Sequence, residues 1–281
     1  MSLAAPAHAQ WLDLFNGRDL TGWTQVNGTA PYTVEDGAIV GTYVTNSPNS
    51  FLATHRDFGD FVLEFEFRPD TDINSGVQFR SHSTPEYSDS RVHGPQYEID
   101  TAPRAWTAGI YDGSRRGWLY QVGLNPPARS LLKHNDWNTA RIECAGQSVR
   151  TWLNGEPVAH LIDDRAEPGF IALQVHAIGE NDPGVGHTIR WRNIRVWTGP
   201  VTPTPPHADI PIVNLNPNDL SPAEAMQGWR LLFDGETTDG WRSAHKDRFP
   251  EAGWSIENGE LRVHPSGGGE SQHGGDIVTE D

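Results

Sequence analysis

Trp11, Leu14, Phe15, Gly17, Gly22 and Trp23 recur without a gap as Trp229, Leu232, Phe233, Gly235, Gly240 and Trp241, each 218 positions later. With four inserted residues, Val34-Glu35-Asp36-Gly37 then matches Ile256-Glu257-Asn258-Gly259. A constant offset of this kind marks two copies of one module. The first copy runs over residues 10–198. The second occupies 227–281, with 53 residues from Trp229 to Asp281. So short a stretch supplies three or four strands and no closed sandwich of its own. It is therefore expected to be the truncated opening of a second copy, and its unpaired strand edges favour self-association. Between the copies, residues 199–226 are expected to be a linker. Seven prolines between Gly199 and Glu224 favour an extended, semi-rigid spacer. Its end differs, because Ser221-Pro222-Ala223-Glu224 has a capping-box pattern with Pro at the first helical position, predicting a short helix closed by Gly228.

Inside the first copy the hydrophobic period is two. Phe61, Leu63, Phe65 and Phe67 alternate with Val62, Glu64, Glu66 and Arg68, giving one apolar face and one wet face. Further strands are predicted at Ala38–Tyr43, Gly76–Ser81, Gln96–Asp100, Ala140–Ala145, Ser148–Leu153, Phe170–His176 and Thr188–Trp197. Gly146-Gln147 and Asn154-Gly155 read as tight turns. With 29 Gly, 21 Pro and 11 Trp and almost no window of helical period, the class is all-β: one sandwich of roughly a dozen strands. A formal charge of −16, with Lys133 and Lys246 the only lysines, argues against nucleic acid as a partner, since phosphate binding rests on cationic charge. No stretch approaches the roughly 18 apolar residues that a membrane-spanning helix needs. Cys144 is the single cysteine, excluding an intrachain disulfide and predicting a small buried apolar role. Ala4-Ala5-Pro6-Ala7-His8-Ala9-Gln10 reads as the small-residue end of a secretory signal, making residues 1–9 a remnant and the protein exported, to the periplasm.

Three strands carry a polar stripe. Alternation places Val77 and Phe79 in the core and Gln78 and Arg80 on the opposite face. Likewise Tyr97 and Ile99 point in while Gln96, Glu98 and Asp100 point out, and Leu173 and Val175 point in while Gln174 and His176 point out. Amides and carboxylates of this kind satisfy sugar hydroxyls, which donate and accept at once. The competing reading is an ordinary solvated antiparallel face, although Lys, Thr and Ser are absent from the stripe. The segment Thr101–Lys133 adds Arg104, Trp106, Tyr111, Asp112, Arg115, Arg116, Trp118 and Tyr120. Rings and guanidinium groups suit a sugar-binding wall, with Tyr111, Arg115 and Trp118 as its candidates. A loop packing its own aromatics is the alternative.

The set Leu14-Phe15-Asn16-Gly17 with Gly22-Trp23, Asn74-Ser75-Gly76-Val77-Gln78-Phe79-Arg80-Ser81, Gly94-Pro95-Gln96-Tyr97-Glu98-Ile99-Asp100, Asp136-Trp137-Asn138, Trp152-Leu153-Asn154-Gly155, Ile171-Ala172-Leu173-Gln174-Val175-His176 and Trp191-Arg192-Asn193-Ile194-Arg195 resembles the 3-keto-disaccharide hydrolase domain family. The resemblance implies a concanavalin A-like jelly-roll sandwich acting on 3-keto-glycosides. One departure stands out: many members read Glu-x-Gln where this chain has Gln96-Tyr97-Glu98. A C3 ketone acidifies the C2 proton, so the implied chemistry is proton abstraction, elimination of the C1 substituent and addition of water. It needs a base, an enolate stabiliser and an acid. Glu98 or His176 is the candidate base. Arg80, the glutamines, or a divalent metal held by Glu98 and His176 are candidates to stabilise the enolate. Two other readings remain open. A retaining glucanase needs two carboxyl groups about 5 Å apart, but the positions two and three residues after Asp100 hold Ala102 and Pro103. A non-catalytic, lectin-like module shares the fold.

Overall fold

A computed structural model describes residues 10–70, 73–265 and 275–280; the signal remnant expected at 1–9 lies outside them. The period-two pattern folds as its spacing requires. Along Phe61–Pro69, Phe61, Leu63, Phe65 and Phe67 are buried. On the other face Glu64 pairs with Arg141 and Arg195, and Glu66 with Arg192.

Two antiparallel sheets form a jelly-roll β-sandwich. In spatial order, one carries Ile212–Asn214, Glu156–Ile162, Ser148–Leu153, Asn138–Ala145, Phe61–Pro69, Thr188–Trp197, Ala38–Thr42 and Tyr32–Glu35, with Trp11–Asp13 also pairing to Thr188–Trp197. The facing sheet runs Gly117–Tyr120, Ile110–Gly113, Gly94–Asp100, Asn74–Ser81, Gly169–Val175, Ser50–Phe58 and Trp23–Val26. Rings from the two sheets interlock between them: Tyr97 meets Phe65 and Phe67 edge-on at 5.6 and 6.4 Å, and Phe79 meets Phe61 at 6.5 Å. Cys144 lies in this core, where burial pushes its thiol up to about 12. The turn at Asn154-Gly155 takes positive φ at both residues, as a two-residue hairpin loop demands.

The segment expected to be a linker is split. The chain divides into two compact units at Val213/Asn214, and residues 199–213 are strapped to the sandwich. Glu143 accepts bonds from the Thr204 amide and hydroxyl, Arg150 Nη1 donates to Thr204 O and Pro205 O, and Ile210 joins the core. Proline removes donors but leaves carbonyls, and the Arg150 guanidinium captures two of these while Glu143 takes the remaining Thr204 donors. Ile210→Ala is accordingly expected to cost about 2 to 4 kcal/mol of stability in urea unfolding; an unchanged midpoint would mean the strap is dispensable.

The second unit holds the helix Pro222–Met226, whose Ser221–Glu224 capping box is complete, and two strand pairs, Trp241–Ser243 with Ile277–Thr279 and Trp254–Glu257 with Glu260–Val263. No hydrophobic side chain among its described residues is buried, and Met226, Trp229, Leu231, Leu232 and Val263 are exposed. Its opening repeats local geometry from the first unit. Trp23 Nε1 donates to Leu14 O at 2.8 Å and Trp241 Nε1 to Leu232 O at 2.6 Å. Gly17, Gly22, Gly235 and Gly240 all take positive φ. No helix among the described residues is long and apolar enough to cross a membrane.

Candidate active site

Strand pairing lays the polar stripe across the seven-stranded sheet in two neighbouring rows. One reads Gln174, Gly76, Glu98 and the next Ala172, Gln78, Gln96, Tyr111. Above them lies a cleft of about 1120 Å³ lined by Asn74, Gln78, Gln96, Glu98, Asp100, Arg104, Tyr111, Trp118, Gln174 and His176, among others. Although the stripe occupies the sheet's open face, Gln78, Gln96, Glu98, Asp100 and Gln174 are all buried. Gly76 is required at its position, because the carboxamide of Gln96 lies over it and a Cβ there would come within 2.4 Å of that group.

Glu98 is 3% exposed. Asn74 Nδ2 donates to its Oε1, and Gln96 Nε2 donates to its Oε2 at 2.9 Å. Burial pushes its pKa up to about 7; Asp100 adds to the rise, while the two amide bonds and Arg104 oppose it. A carboxyl held near neutrality is matched to proton transfer at physiological pH. Asp100, by contrast, is engaged: it accepts from the Ala102 amide at 3.0 Å and from Arg104 Nε. The same guanidinium brings Nη2 to 3.8 Å from Glu98 Oε1, and its carbon lies 5.1 Å from the ring centres of both Trp106 and Trp118. Trp118 also meets Trp106 edge-on at 4.6 Å and Tyr111 at 5.2 Å. Aromatic faces and a cation thus form one wall of the cleft. Across from them, His176 is half-buried and donates through Nδ1 to Ala177 O at 2.7 Å, which leaves Nε2 as the acceptor of a neutral ring. Gln174 Oε1 is buried without a hydrogen-bond donor.

Two expected site residues lie elsewhere. Arg80 does not line the cleft. A β-bulge opposite Phe170–Ala172 and a φ of 45° at Arg80 break the alternation, turning its guanidinium to Gly59 O, Gly146 O and Asp60. Arg115 is likewise diverted. Asp112 is completely buried one position after Tyr111 and needs cationic partners, and it takes both Arg115 and Arg116. In their place stand Asn74 and Arg104. Asn74 is in phase with Gly76 and Gln78 on its strand, a signal available from the alternation, whereas Arg104 has only its spacing four residues beyond Asp100. The donor set does not fit a divalent metal. Among the described residues no three of His, Cys, Asp and Glu stand close enough to share one. Amide and guanidinium N–H groups already occupy the carboxylates.

Solved structures share this architecture. A glycosidic hydrolase aligns with 71% of this chain and 100% of its own at a TM-score of 0.50 and 13% identity. A Bacillus subtilis protein with a galectin-like fold aligns with 67% and 94% at 0.51 and 13%. Identities this low establish the fold alone. A 3-keto-disaccharide hydrolase of Bacteroides thetaiotaomicron is 47% identical over 53 residues, 18% of each chain, so the alignment spans under a fifth of that relative. The 3-keto-alpha-glucoside-1,2-lyase-like domain matches over residues 10–197. With that match covering well over half of the sequence, the chain belongs to the 3-keto-alpha-glucoside-1,2-lyase-like domain family.

Proposed function

We propose that the protein cleaves glycosides already oxidised at C3, with Glu98 as the base that removes the C2 proton. The C2–H electron pair forms a C2=C3 enolate, and Arg104, with Asn74, stabilises the charge on the C3 oxygen. The enolate then collapses: the C3 carbonyl reforms, a C1=C2 bond appears, and the C1–O bond breaks with its electron pair leaving on oxygen. A water molecule gives that oxygen its proton, and His176 Nε2 is the candidate acceptor for that water's other O–H. In hydrolysis, the hydroxide formed when water protonates the departing oxygen adds at C1, and the proton held by Glu98 returns to C2. Trp118 and Tyr111 offer faces to the sugar ring, and Gln174 Oε1 offers an acceptor to one of its hydroxyls.

The observation that carries this reading is Glu98: a buried carboxyl held near neutral pH beside the Arg104 cation, with its neighbour Asp100 tied up. A retaining glucanase would need a second free carboxyl about 5 Å away, and Asp100 is committed to Arg104 and Ala102 N. The family match supports the substrate class. We extend the reading to residues 227–281 as a second copy of the first domain's opening strands, supported by the paired Trp–Leu bonds, and to an exported protein, supported by the signal-like residues before Gln10.

The test incubates the protein with a 3-keto-glucoside and with the unoxidised glucoside in deuterated water. Cleavage of the ketone with deuterium entering C2 is expected. Cleavage of the unoxidised sugar alone would replace this reading with the glucanase one, and saturable binding without turnover of either sugar would make the protein a carbohydrate-binding module.

A further inference from the structure

The cleft floor contains a buried line of polar side chains: Ser81 Oγ to Gln78 at 2.7 Å, Gln78 to Gln96 at 2.8 Å, and Gln96 to Glu98 at 2.9 Å. The two ends of a glutamine amide have the same shape, so these positions admit two hydrogen-bond directions, which chemistry must distinguish. In the first, each amide donates toward Glu98: Gln78 Nε2 to Gln96 Oε1, then Gln96 Nε2 to Glu98 Oε2. This suits a carboxylate, which only accepts. It also leaves Gln78 Oε1 facing the carbonyls of Gly94 and Pro95. In the reverse direction Gln78 Nε2 donates to those carbonyls, at 3.1 and 3.2 Å, and Gln78 Oε1 must accept from the Gln96 amide. That turns Gln96 Oε1 toward Glu98 Oε2, a contact of two oxygens that requires a proton on Glu98.

We propose that Gln78 and Gln96 are positioning residues whose amides reverse together when Glu98 takes up a proton, so that Gln78 strengthens Glu98 as a proton acceptor from two side chains away. The driving force is the difference in satisfaction at the far end of the line. In the first direction Gln78 Oε1 stands 3.1 and 3.2 Å from two carbonyl oxygens, a repulsive contact of acceptor with acceptor, and reversal replaces it with N–H donation to both. Both states are accessible near neutral pH because burial already holds the Glu98 carboxyl there.

Other groups facing Glu98 are constant across the two states. Asp100 and Arg104 lie on its own strand and the following loop, Asn74 on the adjacent strand, His176 beyond it, and Tyr43 reaches Asn74 O from behind. None of them touches Gln78 in the line of bonds described. Ser81 can donate or accept, so it serves either direction and sets neither.

The kinetic consequence rests on the proposed role of Glu98, but the proton equilibrium does not. The experiment titrates the full chain by infrared difference spectroscopy, taking the Glu98 carboxyl band as the one lost in Glu98→Gln. In Gln78→Leu the midpoint is expected to fall by about one pH unit, a tenfold loss of proton affinity, whereas Ser81→Ala leaves it in place. Gln78→Met, similar in length, replaces Gln78→Leu if circular dichroism shows that variant unfolded. A midpoint that moves by less than about 0.3 unit overturns the coupling. The acid limb of kcat/KM on a 3-keto-glucoside is measured beside it. A shifted midpoint without turnover of the ketone supports the amide line and removes the proposed function; turnover with an unshifted midpoint does the reverse.

Discussion

Glu98→Gln is expected to lower kcat on a 3-keto-glycoside by at least about 10³-fold while making the folded protein more stable at alkaline pH. Both effects come from the same burial. Glu98 titrates at about 7 in the fold, against an ordinary value of 4.5. Below the lower value both folded and unfolded chains hold the proton, and the carboxyl costs nothing. As pH rises through that window the unfolded chain releases its proton first, so stability falls and reaches its full loss above about 7. For a shift of this size the loss is about 3 to 4 kcal/mol. The substituted amide carries no charge to bury, so the variant's urea midpoint should exceed the parent's at pH 8 and converge with it near pH 4. In the parent protein kcat/KM on a 3-keto-glycoside should climb with pH to a plateau above about 7, where Glu98 is ionised. A variant retaining most of its turnover would move the base assignment to His176.

Arg104→Met is expected to reduce kcat by about 10² to 10³-fold, the range for losing one charged or hydrogen-bonding stabiliser of a developing oxyanion. Methionine keeps much of the aliphatic volume between Trp106 and Trp118 and removes the charge. The Arg104 side chain is 45% exposed, so its loss should leave the fold intact by circular dichroism. Its worth lies in the charge brought to 3.8 Å from Glu98. Lysine should recover little, since a point charge cannot hold Asp100 and reach Glu98 with one planar fork. A rise in KM with unchanged kcat would instead make Arg104 a sugar-binding group with no part in the enolate.

Much of the site was legible from alternation. Gln78, Gln96, Glu98 and Gln174 share the outward phase of three strands, and pairing brings those strands side by side. Alternation also misled. It gave no sign of how deeply the outward stripe would be buried, and it placed Arg80 outward where one bulge reversed it. Asn74 was in phase but two residues ahead of the predicted strand start. Arg104 and Arg115 lie in one segment, and the sequence singled out Arg115 for the wall. Their fates were decided by which buried carboxylate stood within reach: Asp100 beside the cleft for Arg104, Asp112 outside the cleft lining for Arg115.

Local sequence information was enough for the strands of clear alternation, the faces of most of them, the capped helix at Ser221 and the tight turns. Each follows from side-chain period or from φ preferences at a few neighbouring residues. It missed Ser50–Phe58 and Glu156–Ile162 and read as loop the segment that holds Ile110–Gly113 and Gly117–Tyr120. Long-range packing alone settled that the proline-rich segment belongs to the sandwich through Glu143, Arg150 and Ile210, that Arg80 leaves the site, and that Arg104 stands beside Glu98. Those outcomes turn on which buried charge or carbonyl finds a partner across many residues of chain, and the cost of leaving any of them unpaired selects the arrangement.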